Sequence, residues 1–232
     1  MKAWGDESKK IQFKFENIQS INDYGVVEYQ ANFKSNVFLV KLEDEKATEC
    51  EKKESKDQKL AVLKVCSTYD IECHDILAKL NLAPQIIGYE EFSNNCFILL
   101  MEYFDCNNGG KYKCLFNYLN DRKELNLPQA PIYDSLKLFL EKIHNQGIVH
   151  GDFRSNNVLV QLNNNTNNTN DTNSDEGFEF KLIDFEFTGK VDSLYPCLAL
   201  KNLNITWPSD FASYLPRKFE HDVFMLEKMM NE

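Results

Sequence analysis

The chain has 232 residues, a mass of 27.0 kDa and a formal net charge of −10, which suits one domain or a tight pair of lobes with a substantial core. Apolar residues make up 43% and charged residues 27%, the balance of a soluble globular protein. The acidic excess argues against nucleic acid as a bulk electrostatic partner, yet it leaves room for a small phosphorylated ligand that needs only a few local cations. No run of about 18 apolar residues occurs, so no membrane span or membrane partner is expected. Met1-Lys2-Ala3-Trp4-Gly5-Asp6-Glu7 carries no apolar core, so no signal peptide is expected. The expected location is intracellular and cytoplasmic, with the nucleus left open. Seven scattered cysteines without a CxxC pair read as free thiols rather than a disulfide framework or a zinc site.

Ile11–Phe15, Gly25–Tyr29 and Val37–Leu42 are short apolar runs that predict strands, joined by polar turns at 21–23 and 33–36. Residues 43–59 form a charge run, read as a solvated loop or helix face. From about 58 to 82 the spacing of Leu60, Leu63, Val65, Ile71, Ile76, Leu77 and Leu80 predicts a helix, with Asp70 as a candidate N-cap and Ala83-Pro84 as its stop. Ile86-Ile87 and Cys96–Met101 predict buried strands. Asn107-Asn108-Gly109-Gly110 predicts a loop. Leu115–Leu119 and Ile132–His144 carry helical spacing through Leu136, Leu138, Leu140 and Ile143. Ile148-Val149 and Val158-Leu159-Val160 are short strand-like runs around a polar hinge. Residues 163–174 hold seven Asn and three Thr, a low-complexity composition that predicts a disordered loop, taken as about 162–177. Phe178–Ile183 resumes as a strand.

The chemistry concentrates in Ile148-Val149-His150-Gly151-Asp152-Phe153-Arg154-Ser155-Asn156-Asn157-Val158-Leu159-Val160, followed by Asp184-Phe185-Glu186 after the next strand. These motifs resemble the protein-kinase-like superfamily, whose catalytic loop H-R-D-x-x-x-x-N is followed by D-F-G. The resemblance implies an α+β, bilobal protein-kinase-like fold. A tail spans 1–11, a β-rich N-lobe about 12–102 and a truncated helical C-lobe about 105–232. It also implies ATP and Mg²⁺ as cofactors. Asn157 and Asp184 would be the metal ligands, being hard oxygen donors suited to magnesium. Asp152 would orient the acceptor hydroxyl and take its proton. Arg154 would clamp the γ-phosphate through its planar fork, and His150 would be structural. Asp184 lies 32 residues after Asp152; taking out the Asn-rich tract restores an ordinary gap, and a long insertion there costs little stability.

The same resemblance assigns further positions. Val37-Phe38-Leu39-Val40-Lys41 matches the V-A-I-K strand, so Lys41 would hold the α- and β-phosphates. Glu72 would be its helical partner, with Glu54 as the alternative. Met101 would border the adenine pocket, and backbone groups of Glu102 and Phe104 would bond the adenine edge. Gly25 is the one glycine available for a phosphate-binding loop, since glycine lets backbone approach phosphate closely. Asp222, in Glu220-His221-Asp222-Val223-Phe224, would hold the catalytic-loop backbone, or serve as a helix N-cap.

Two departures stand out. Gly151 replaces the loop arginine that usually meets a phosphorylated activation loop, so control of that kind is not expected. Glu186 replaces the glycine after Asp184-Phe185. H-G-D and D-F-E also occur in aminoglycoside and choline kinases, but Tyr103 to His150 spans only 47 residues, little room for their substrate-binding helices. The pattern looks closest to atypical protein kinases of fungi, protists and Crinkler-type effectors. The expected activity is therefore transfer of phosphate from ATP to Ser/Thr of a protein substrate, by an atypical serine/threonine protein kinase. A small-molecule kinase is the first alternative. A pseudokinase acting as a binding module is the second, supported by the stripped glycine loop. An activating subunit and the oligomeric state are left open.

Overall fold

The computed structural model describes residues 26–34, 36–42, 59–92, 96–107, 110–128, 130–162, 177–197 and 202–231. The strand expected at Ile11–Phe15, Gly25, Glu54 with most of the charge run, and the Asn-rich tract lie outside the described residues. The chain divides into two compact units. One runs to Cys66 and resumes over Ile86–Tyr103; the other comprises Ser67–Gln85 and Phe104 onward.

The first unit is an antiparallel sheet of β1 (Val26–Lys34), β2 (Val37–Leu42), β3 (Leu60–Cys66), β4 (Ile86–Phe92) and β5 (Cys96–Glu102), in the order β1-β2-β3-β5-β4. Period-2 alternation turns Val40, Leu42, Ala61, Leu63, Ile98 and Leu100 onto one buried face. Lys34 pairs with Val37, and Asn36 lies in the turn before β2. The Asn36 amide side chain donates to Val65 O at 2.9 Å and the Val65 N–H donates to Asn36 O at 2.9 Å, which fastens the turn to β3.

The helix expected from about residue 58 is the clearest correction. Leu60–Cys66 is a central strand, bonded to β2 on one edge and β5 on the other: Val62 pairs with Leu39 and with Met101. A short, nearly continuous apolar run has no period that separates a buried strand from a buried helix, and Leu60/Leu63 matched i, i+3 by coincidence. The helix itself is α1 (Ile71–Lys79). Asp70 is its N-cap, accepting the Cys73 N–H at 2.8 Å, and Asn81, with φ +60°, turns the chain out of it.

The second unit holds α1, β6 (Lys113–Cys114), α2 (Leu115–Glu124), α3 (Ala130–His144), β7 (Ile148–Val149), β8 (Val158–Leu162), β9 (Phe178–Leu182), β10 (Gly189–Lys190) and α4 (Phe219–Asn231). Strands β6, β8 and β9 form one small sheet in that order, and β7 and β10 pair separately. On α3 the i, i+4, i+7 residues Leu136, Leu140 and Ile143 are buried, whereas Leu138 faces away and is 59% exposed. They pack with Leu115, Val158, Leu182, Phe185 and Leu226 in one core. No helix among the described residues is long and apolar enough to cross a membrane. Loss of the Asp70 cap is testable by chemical denaturation: Asp70→Ala is expected to lower stability by about 1 kcal/mol with an unchanged denaturant slope.

Candidate active site

Three short elements of the second unit carry the motif residues. β7 ends at Val149, paired with Gly189 of β10. His150-Gly151-Asp152-Phe153-Arg154 follow, then one 3₁₀ turn, Ser155–Asn157, then β8. Gly151 has φ +76°, and a Cβ there would lie 2.7 Å from Phe187 O and 2.9 Å from the Tyr195 ring. The missing loop arginine is thus a steric requirement, because neither this backbone region nor this space admits a side chain.

The loop hangs on Asp222. Its two carboxylate oxygens accept the His150 N–H at 2.7 Å and the Gly151 N–H at 2.8 Å. Asp222 is fully buried in the first turn of α4, inside the helix rather than at its cap. The expected backbone-holding contact is present. His150 is buried as well; its Nε2 donates to Ile183 O at 3.2 Å, and its ring stands edge-on to Phe153 and Phe185. It faces the core and acts as a strut between the loop and the strand leading to Asp184.

Asp152 is 6% exposed. One oxygen accepts Arg154 Nε at 2.7 Å and the other accepts Asn157 Nδ2 at 2.8 Å. Burial pushes its carboxyl above the ordinary range; the Arg154 guanidinium pulls the other way, and the Asp184 carboxylate adds to the rise. A carboxylate so placed holds a proton more readily than one in water, as a general base requires. Asn157 Nδ2 also donates to Asp152 O at 3.0 Å. With its NH₂ end committed to Asp152, the amide keeps its carbonyl oxygen for a cation.

Asp184 follows β9 with φ +71°. Val158 pairs with Leu182 and the Ile183 N–H donates to Asn157 O at 2.9 Å, so Asn157 and Asp184 sit at the ends of neighbouring strands. The fully buried Phe185 stacks on His74 of α1, with centroids 4.2 Å apart and planes at 8°. Thr68 Oγ1 donates to Glu186 O at 3.0 Å.

The second unit therefore brings together Asp152, Arg154, Asn157 and Asp184. Phe104 also belongs to it, and Glu72 lies exposed in the first turn of α1. Lys41, Met101 and Glu102 belong to the first unit. Lys41 stands on β2, where it pairs with Leu60 of β3. The strand that leads into α1 is β3, and it carries a second lysine, Lys64, which is 5% exposed. A residue with no sequence signal is Arg217, buried beside Phe187 and Tyr195.

No protein-family model and no curated protein matches the sequence. Solved structures do resemble it. The Cydia pomonella granulovirus kinase PK-1 aligns with a TM-score of 0.57 at 16% identity, over 92% of this chain and 71% of that one. WaaP, in complex with acyl carrier protein, aligns with a TM-score of 0.52 at 12% identity, over 88% of this chain and 70% of that one. At such identities the likeness establishes the fold, and the fold is protein-kinase-like: a β-rich N-terminal region followed by a helix-containing second part.

Two variants test the site's physics. Gly151→Ala, forced into φ +76° against Phe187 O, is expected to cost roughly 1–3 kcal/mol in denaturation. A carboxyl whose folded pKa is raised lends stability at acid pH, and that stability is lost as pH rises through the folded value. Asp152→Asn is therefore expected to melt no lower than the parent at pH 7, with the difference narrowing as pH falls.

Proposed function

We propose that this protein is an ATP- and magnesium-dependent phosphotransferase whose acceptor is a Ser/Thr hydroxyl of another protein. The observation that carries the proposal is the buried Asp152, gripped by Arg154 and Asn157, with Asp184 at the neighbouring strand end. Phosphoryl transfer leaves the protein little covalent chemistry to perform, so positioning and charge stabilisation decide the rate.

Asn157 and Asp184 fit magnesium by donor type, two hard oxygens that the phosphates of the nucleotide would complete. No cluster of three or more His, Cys, Asp or Glu suited to a metal occurs among the described residues, and an ion that takes most of its ligands from phosphate and water needs none. Bound there, the metal would neutralise charge between the β- and γ-phosphates. Asp152 accepts the proton of the acceptor hydroxyl while the hydroxyl oxygen bonds to the γ-phosphorus and ADP leaves. Arg154, anchored to Asp152 through Nε, offers its terminal NH₂ groups to the γ-phosphate. Lys64, on the strand that leads into α1, takes the role first expected of Lys41, neutralising the α- and β-phosphates, and backbone groups of Glu102 and Phe104 that of bonding adenine. The named kinase among the structural neighbours supports phosphoryl transfer. The choice of a protein acceptor rests on the short span between Tyr103 and His150 and on the resemblance to atypical protein kinases.

One observation favours a second reading. The sequence from Val26 to Leu42 holds no glycine, so it offers little backbone freedom for a close approach to phosphate, as in a pseudokinase that only binds.

Transfer from radiolabelled ATP with magnesium separates these readings, with basic protein, the chain itself, choline and aminoglycosides as acceptors. Label on protein is expected, falling at least a hundredfold in Asp152→Ala, Asp184→Ala and Lys64→Met, and by no more than a few-fold in Lys41→Met. Label on the small molecules alone would overturn the protein acceptor. No transfer to any acceptor would favour the pseudokinase.

A further inference from the structure

Gly151 removes the guanidinium from the catalytic loop, yet a buried guanidinium stands behind that same loop. Arg217, four residues before His221 and five before the loop-holding Asp222 of α4, is 6% exposed. Its Nε donates to Phe187 O at 3.0 Å, and its Nη1 donates to Ser193 Oγ at 3.0 Å and to Leu194 O. Its guanidinium carbon lies 4.7 Å from the centroid of the Tyr195 ring. Its own backbone is woven into the same stretch: the Arg217 N–H donates to Ser193 O at 2.8 Å, and the Asp192 N–H donates to Arg217 O at 2.9 Å.

Two glycines are shaped around this side chain. A Cβ on Gly189 would lie 2.7 Å from Arg217 Cζ. A Cβ on Gly151 would meet Phe187 O, the very carbonyl that Arg217 Nε holds. The guanidinium therefore fixes the atom against which the catalytic loop rests. The acceptors named here are two carbonyls and a hydroxyl, all neutral, and the planar fork is what lets one side chain serve several of them. Tyr195 is held in turn: its hydroxyl bonds His221 Nδ1 at 2.9 Å, and His221 Nε2 bonds Asp210 Oδ1 at 3.2 Å.

We propose that Arg217 is a positioning residue, an internal fastener that holds residues 187–195 against the catalytic loop in the transfer-competent arrangement without any phosphoryl group on that segment. The inference rests on the phosphotransferase reading. In kinases controlled through this segment, a guanidinium waits for an added phosphate. Here a guanidinium is already spent on neutral groups of the segment itself, so its ordering is built in.

The test uses the full chain, phosphatase-treated and shown by mass spectrometry to carry no phosphate. Full transfer activity is expected from it. Arg217→Gln is expected to lower kcat roughly tenfold to a hundredfold, the effect of displacing catalytic groups by about 1 Å, with KM for ATP within about twofold. Amide hydrogen exchange should rise over 187–195 and stay unchanged in α3. Arg217→Lys should fail similarly, since an ammonium cannot replace the fork. A double-mutant cycle supplies a readout that general loss of stability would not move. Gly189→Ala should be harmful in the parent, where it strikes the guanidinium, and nearly silent in an Arg217→Ala background. Parent-like kcat and exchange in a folded Arg217→Gln would overturn the proposal, as would equal harm from Gly189→Ala in both backgrounds, or loss of the parent's activity on dephosphorylation. Absence of transfer in the parent under every condition would remove the phosphotransferase reading and the phosphate-independence with it; exchange and the cycle, read by melting temperature, would still decide the fastener.

Discussion

The site depends on one buried carboxylate. Asp222 accepts two consecutive backbone N–H groups of the catalytic loop, from residues more than 70 positions earlier in the chain, and His144 Nε2 donates to the same side chain at 3.2 Å. A carboxylate out of water is stabilised only when its lone pairs are answered, and bonds to a charged acceptor are the strong kind. The two amides need it equally, because a loop between strands has no ladder partner for them. The loop's curvature, and with it the direction of Asp152, is therefore a property of where α4 docks. This is a non-local contact that local sequence preference cannot supply.

Around that anchor the structure accepts several costs together. Asp152 is buried against its charge, Asp184 occupies the left-handed backbone region without being glycine, and Gly151 and Gly189 forgo side chains where backbone or guanidinium press close. Each cost is tolerable because neighbouring groups over-determine the geometry, which is how strain persists at functional sites. A chain selected only for stability would replace Asp152; keeping a carboxyl in a desolvated place makes sense if the carboxyl is used.

What was legible in the sequence follows from how local each signal is. His150, Asp152, Asn157 and Asp184 were readable because their spacing along one loop and the next strand is itself the geometry. Asp222 was readable through a second short motif. Strand β3 was not legible for a physical reason: a strand buried by neighbours on both edges loses the polar alternation that marks strands, and the apolar run beside a true helix was absorbed into it. Its assignment needed the pairing of β3 with β2 and β5, which only the fold displays. Arg217 carried no signal at all. Its partners are two main-chain carbonyls, the Ser193 hydroxyl and the Tyr195 ring, and no local spacing ties them to residue 217.

The placement of α1 completes the argument. By linear order it precedes β4 and β5, yet it groups with the second unit, which carries the motif residues. Three contacts explain this. His74 stacks on Phe185 while its Nε2 donates to Pro84 O at 2.8 Å and its Nδ1 bonds the Tyr69 hydroxyl at 2.9 Å, so the ring is fixed on both sides. The buried Lys181 ammonium donates to Asn81 O at 2.7 Å and Oδ1 at 2.6 Å, just past the helix C-terminus, where a cation also meets the negative end of the dipole. The Leu182 N–H donates to Leu82 O at 2.8 Å. Lys181, Leu182 and Phe185 bracket Asp184, so the groups that seat the helix are those that fix the left-handed turn at Asp184. Helix position and carboxylate position are one constraint, and a displacement of α1 reaches Asp184 through the Phe185 ring within the same packed core.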